Sequence, residues 1–190
     1  MLKQIEEYAF KYNIPIMQKD GIEFLTNFIS KNNIKTILEI GTAIGYSAIK
    51  MALVDENIKI ISVERDEERY LEAVKNVKNF KLENRIKLIH ADAFDVELNE
   101  KFDLIFLDAA KAQNIKFFKK FSENLNDQKY IIPDNLNFHG LVDSCEKKSK
   151  NLRRLTDKIR QYRQFLKENS DYETHFYDVG DGISISKKVI

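Results

Sequence analysis

The 190-residue chain predicts an α/β fold, with a mostly parallel seven-stranded sheet, helices on both faces and an antiparallel C-terminal hairpin. Three observations predict it. Short β-rich apolar runs alternate with segments of helical period, the pattern of strands joined by crossover helices. FDLIFLD (102–108) is almost continuously apolar, as a central parallel strand buried on both faces should be. The last two strand-like segments are separated only by Gly180-Asp181, too short a link for a crossover, so they must pair antiparallel.

The elements follow in order. Residues 5–12 and 21–31 have helical spacing, with Ile22, Leu25, Phe28 and Ile29 on one face. TILEI (36–40) is a strand that ends at Gly41, and a helix is expected over 46–54. IKIISV (58–63) is the second strand; residues 66–79 form a helix with Asp66 as its cap. RIKLIH (85–90) alternates as a strand, FDLIFLD follows, and 115–125 is helical. KYIIP (129–133) is a strand closed by proline. A long polar helix is expected over 141–167, then strands YETHFYDV (172–179) and GISISKK (182–188).

Length fits one domain over 1–190, with 1–32 as an N-terminal helical cover and 140–168 as a basic helical insertion. No run approaches 18 apolar residues, so no membrane span or membrane partner is expected, and the acidic N-terminus does not resemble a signal peptide. The single cysteine, Cys145, has no internal partner, and we expect a cytoplasmic protein with a bystander thiol. Net charge is only +1, but residues 140–168 carry nine basic side chains against four acidic ones. Such a stripe marks either a polyanion-binding face or simply a solvated helix.

Sheets of this kind bind ligands beyond the carboxyl ends of their strands. After the first strand stands Glu39-Ile40-Gly41-Thr42-Ala43-Ile44-Gly45-Tyr46-Ser47. Its G-x-x-x-G spacing differs from a dinucleotide fingerprint, yet lets backbone turn tightly into a helix. Glu64 ends the second strand, placed to accept from ribose hydroxyls, and Asp92-Ala93 follows the third, able to meet an adenine amino group. Together they point to a nucleoside ligand.

EIGTAIGYS, the acid of SVERD and the pair in HADA resemble the motifs of class I S-adenosylmethionine-dependent methyltransferases, a Rossmann-like fold with the same final hairpin. In that fold LDAAK (107–111) and PDN (133–135) end adjacent strands, so Asp108, Asp134 and Asn135 would converge. Two carboxylates and an amide oxygen suit Mg²⁺, or Mn²⁺. The pattern is similar to the metal-dependent O-methyltransferases of catechols and caffeoyl-coenzyme A, whose substrates present two neighbouring oxygens to the metal. That resemblance makes Lys111 and Asp108 catalytic candidates. It makes Met17, Glu39, Gly41, Gly45, Ser47, Glu64, Asp92, Ala93 and Asp108 candidates for the cofactor. PIM (15–17), LDAAKAQ, IIPDNLNFHGLV, the basic helix and VGDGISISKK further resemble the bacterial tRNA 5-hydroxyuridine methyltransferases, over nearly the whole chain. That implies methylation of a wobble uridine in the tRNA anticodon arm, with Lys147, Lys148, Arg153, Arg154, Arg160 and Arg163 as phosphate contacts, and a homodimer. A small catechol-like phenol is the alternative substrate, and a non-catalytic RNA-binding module a third reading. The family commonly has an aromatic residue where this chain has Asn114, a position expected to shape the pocket, and many relatives carry a longer N-terminal helical segment. His139 is as consistent with facing substrate as with an ordinary loop residue; His90 and His175 read as structural.

Overall fold

A computed structural model describes residues 1–138, 140–143 and 149–189. Its seven strands are β1 (Thr36–Ile40), β2 (Lys59–Glu64), β3 (Ile86–His90), β4 (Phe102–Leu107), β5 (Leu125–Pro133), β6 (Tyr172–Tyr177) and β7 (Ile183–Lys188). They lie in the order β3-β2-β1-β4-β5-β7-β6. The first five are parallel; β7 runs antiparallel to β5 and β6 antiparallel to β7, which leaves β6 at the edge. Strand order reverses between β1 and β4, and the crevice at such a switch point is where a ligand fits.

Side chains alternate across a strand, and each face has its own core. Ile37, Ile60, Leu104, Phe106 and Ile132 pack with α1 (Leu2–Lys11), α2 (Lys19–Lys31), α3 (Tyr46–Ala52) and Val77 of α4 (Glu67–Asn79). Leu38, Ile40, Ile105, Leu107 and Ile131 pack with Phe117, Phe118 and Phe121 of α5 (Asn114–Phe121) and with Tyr162 and Leu166 of α6 (Lys150–Glu168). Truncating a fully buried ring such as Phe106 costs about 3–5 kcal/mol. Asp66 caps α4 as expected, its carboxylate accepting from Arg69 N at 3.0 Å.

The structure departs from expectation in two segments. The long helix does not begin at Leu141. Gly140–Asp143 form a turn whose amides bond backward, Leu141 N to Phe138 O and Val142 N to Asn137 O. The helix starts at Lys150, where Ser149 Oγ accepts from Leu152 N. It is also no mere appendage, because Thr156, Ile159, Tyr162 and Leu166 are buried. The fifth strand starts earlier, at Leu125, because a left-handed Gln128 and a shift in register let the chain bulge and stay paired with β4. Among the described residues no helix is long and apolar enough to cross a membrane.

Candidate active site

The loops after β1, β2, β3, β4 and β5 meet around one cavity of about 730 Å³, within the usual range for a small-molecule site. The α1–α2 connection (15–18) closes one side, and Asp181 of the β6–β7 turn another. Met17, Gly41, Glu64, Asp92, Ala93, Asp108, Lys111, Asp134 and Asn135, separated by more than a hundred positions in sequence, all line it.

Gly41 is required by backbone crowding. Its φ is +101°, and a Cβ there would lie 2.5 Å from the Asp108 carbonyl oxygen. Asp108 N donates to Ile40 O at 2.9 Å, so the β1 and β4 loops close on each other. Ala43 N donates to Glu64 Oε2 at 2.8 Å, and Asp66 N to Oε1 at 2.9 Å. The Glu64 carboxylate is thereby fixed at the cavity wall with lone pairs left over for a diol. Asp92 Oδ1 accepts from Phe94 N at 2.9 Å, while Arg65 stands 3.9 Å from its other oxygen.

Glu39, Gly45 and Ser47 lie beneath the cavity rather than in its wall. Glu39 is fully buried and pairs in register with Ser62. Ser47 donates to its Oε1 at 2.5 Å, Ser62 donates to its other oxygen, and Thr42 Oγ1 lies 2.6 Å from Ser62 Oγ. Burial pushes the Glu39 carboxyl up to about 7 against the lowering effect of the two hydroxyls. This chain of hydroxyls ties β1, β2 and the start of α3 together under the glycine loop. Gly45, at φ +83°, caps α3 and abuts Ala73 of α4.

At the far end of the cavity, β4 and β5 are adjacent, which sets Asp108 beside Asp134 and Asn135. Lys111, in a 3-10 turn (Lys111–Gln113), donates Nζ to Asp108 Oδ1 at 2.6 Å. Asn135 Nδ2 donates to Asp134 Oδ2 at 2.7 Å and lies 3.5 Å from Asp108 Oδ1. Asp134 is only 3% exposed. Burial, then the neighbouring Asp108 charge, push its carboxyl well above the usual carboxylate range. Two acids held this close, with an amide between them, fit a hard divalent cation: it would relieve their repulsion and take oxygen ligands. Turning the Asn135 amide over would offer its oxygen to the same point.

The stripe of basic residues divides. Lys147, Lys148, Cys145 and His139 lie outside the described residues. Arg153 and Arg154 are exposed on α6. Arg160 and Arg163 instead turn toward the 140–143 turn, Arg160 to the Val142 carbonyl and Arg163 to Asp143 Oδ2 at 2.7 Å. Asn114, expected to shape the pocket, is buried at the start of α5 while Gln113 lines the cavity. His90 stacks on Tyr70, and His175 is exposed on β6.

Several cavity residues were missed by sequence reasoning. Phe94 and Phe117 stack at 4.7 Å, and both line the cavity with Arg65, Arg69, Gln113 and Asp181. Phe94 was within reach, since it follows Asp92-Ala93; the others depend on how distant loops meet.

Comparison with known proteins agrees with this geometry. The O-methyltransferase family profile matches residues 1–189. Caffeoyl-CoA O-methyltransferase 2 of Populus trichocarpa is 26% identical over 201 residues, covering 99% of this chain and 81% of that protein. Caffeoyl-CoA O-methyltransferase of Medicago sativa is 26% identical over 206 residues, covering 99% and 81%. A Staphylococcus aureus structure, provisionally assigned as a caffeoyl-CoA O-methyltransferase, superposes with a TM-score of 0.94 at 34% identity, covering 99% of this chain and 92% of that one. The O-methyltransferase of Bacillus cereus, solved in complex with SAH, shares the fold with a TM-score of 0.84 at 23% identity, covering 99% and 90%.

Proposed function

This chain belongs to the O-methyltransferase family, and from that premise we propose that it transfers a methyl group from S-adenosylmethionine to one of two neighbouring oxygens on an acceptor. The observation that carries the proposal is the meeting of Asp108, Asp134 and Asn135 in the same cavity as Glu64 and Asp92. Glu64 would accept from the ribose hydroxyls, and Asp92 with Ala93 would face the adenine. Met17, on the α1–α2 connection, would cover the cofactor from the opposite side. Asp108, Asp134 and Asn135 would hold Mg²⁺ or Mn²⁺, whose chemistry when bound is to lower the acceptor hydroxyl pKa and orient both oxygens. Overall, the acceptor O–H gives up its proton, an O–CH₃ bond forms and the sulfonium C–S bond breaks, which leaves S-adenosylhomocysteine. Lys111, paired to Asp108, sits where it can hold the acceptor oxygen or take part in its proton transfer.

For the acceptor we favour the 5-hydroxyl of a tRNA wobble uridine, whose 4-carbonyl supplies the second oxygen. Two features support it: the motif resemblance along nearly the whole chain, and the exposed cations Arg153 and Arg154 on α6, a helix that packs against the 3-10 turn carrying Lys111. Anticodon-arm phosphates are suitable partners for such cations. A small vicinal-oxygen phenol is the second reading, favoured by the caffeoyl-CoA O-methyltransferases among the relatives.

The test is mass spectrometry of nucleosides from tRNA carrying 5-hydroxyuridine, after incubation with protein, S-adenosylmethionine and Mg²⁺. Chelator-sensitive 5-methoxyuridine supports the tRNA reading. Unmodified tRNA alongside a methylated catechol shifts the substrate to the small phenol.

A further inference from the structure

The loop that carries Asp134 and Asn135 is anchored from two sides by bonds that cross the molecule. On one side the β6–β7 turn receives it: Leu136 N donates to Gly182 O at 2.9 Å and Asn137 N to Asp181 O at 2.8 Å. Gly182 has no room for a side chain there, since a Cβ would meet Asn137 Cγ at 2.6 Å. On the other side the chain folds back, with Leu141 N bonded to Phe138 O at 3.0 Å and Val142 N to Asn137 O at 3.2 Å. Val142 is fully buried. Its carbonyl takes a hydrogen bond from one guanidinium arm of Arg160, whose other arm is 2.7 Å from Asp157 Oδ1. Arg163, one turn on, holds Asp143 at 2.7 Å. Bonds therefore run from α6 through Val142 and Asn137 into the β6–β7 turn, and the loop between Pro133 and Phe138 hangs from that span. Asn135 at φ +63° and Phe138 at φ +45° are in a backbone region that non-glycine residues sparsely populate, so the loop needs outside restraint to keep its shape.

We infer that Arg160, assisted by Arg163, is a positioning residue for the Asp134–Asn135 loop. The inference rests on the metal reading of Asp108, Asp134 and Asn135. It also assigns different work to the two ends of the basic stripe: Arg153 and Arg154 face solvent, while Arg160, although itself partly exposed, and the half-buried Arg163 are bonded to the 140–143 turn.

The experiment compares wild type, Arg160→Ala, Arg160→Lys and, as a control that removes a charge from the same helix, Lys158→Ala. Amide hydrogen exchange is followed over residues 134–143, Mn²⁺ affinity by the electron paramagnetic resonance signal of free Mn²⁺, and S-adenosylhomocysteine affinity by calorimetry. Arg160→Ala is expected to speed exchange at Asn137, Leu141 and Val142 by about tenfold or more, as local opening becomes easier. Mn²⁺ affinity should weaken by about five- to tenfold, with S-adenosylhomocysteine affinity within about twofold. Arg160→Lys, which keeps a donor for the Val142 carbonyl, should recover part of both losses, and Lys158→Ala should match wild type. Unchanged exchange in Arg160→Ala, or faster exchange with wild-type Mn²⁺ affinity, overturns the role. Wild-type protein that binds no Mn²⁺ overturns the metal reading beneath it and this role with it; when wild type binds Mn²⁺, either of those two results in Arg160→Ala overturns the role alone.

Discussion

Asp103 and Asp134 stand at opposite ends of the same neighbouring strands. Asp103, near the start of β4, accepts from Lys35 N at 3.0 Å, Thr36 N at 3.3 Å and Asn126 Nδ2 at 3.2 Å, with Lys129 Nζ 3.5 Å away. Burial alone would raise its pKa, but these donors hold the carboxyl below the usual range. Asp134, just past β5, has its pKa raised first by burial and then by the like charge of Asp108, against the lowering effect of Lys111 and of its neighbour Asn135. At the amino end of the sheet the carboxylate is fully supplied and pins strands together. At the carboxyl end Asp108 has Lys111 as its partner, but Asp134 is buried beside Asp108 with no cation of its own among the described residues, a cost to folding that a bound cation would relieve.

The largest expected effect breaks the functional end. Asp134→Ala should lower turnover by about 10³-fold or more, since one side chain of the proposed metal-binding set is lost, while S-adenosylmethionine affinity by calorimetry changes only a few-fold. Full activity in this variant sinks the metal role.

Glu39 is an intermediate case, buried like Asp134 but supplied with hydroxyl donors. Its folded-state pKa of about 7 lies above the ordinary 4.5. The native state therefore keeps the proton to higher pH than the unfolded state does. Stability from this group is fully present below about pH 4.5 and is lost as pH rises to about 7, by on the order of 3 kcal/mol. Glu39→Gln should flatten that slope in denaturant titrations at several pH values; an unchanged slope would assign the pH dependence elsewhere.

A matched pair of substitutions then tests the two ends directly. Asp103→Asn should destabilise by about 1–3 kcal/mol, because the amide presents hydrogens to groups that already donate. Its deficit should be full above the unfolded pKa of about 3.9 and fade as pH falls through the lowered folded-state value. Asp134→Asn should do the opposite in chelator, raising the melting temperature by about 2–4 °C for each kcal/mol of relieved burial cost and repulsion. Equal destabilisation by both would erase the distinction. The smallest effect concerns the surface: Arg153→Glu with Arg154→Glu should weaken tRNA binding, with a shallower salt dependence and little change in stability. Unchanged affinity at low salt would remove the phosphate role of α6.

Much of the sheet was legible because its strands are short apolar runs bounded by glycine, proline and acids. The order of Gly41, Glu64, Asp92, Asp108 and Asp134 after successive strands marks the cavity in the sequence alone. Parallel strands send all their carboxyl ends the same way, so local pattern becomes shared location. The illegible parts depend on side-chain direction and long-range docking. Glu39 and Ser47 sit in the right motif yet point at each other, which alternation along β1 could have indicated. Asp181 reads as turn chemistry until the hairpin is seen to dock on residues 136–137. A count of charges cannot separate Arg154, facing solvent, from Arg160, bonded to Val142.

The most direct test of the central claim follows methyl transfer from labelled S-adenosylmethionine to catechol and to its monohydroxy analogue phenol, and to 5-hydroxyuridine tRNA and unmodified tRNA, each with Mg²⁺ or with chelator. The account predicts label only in an acceptor with two neighbouring oxygens, and only with metal. Label entering the single-oxygen acceptors equally well, or surviving the chelator, would contradict it.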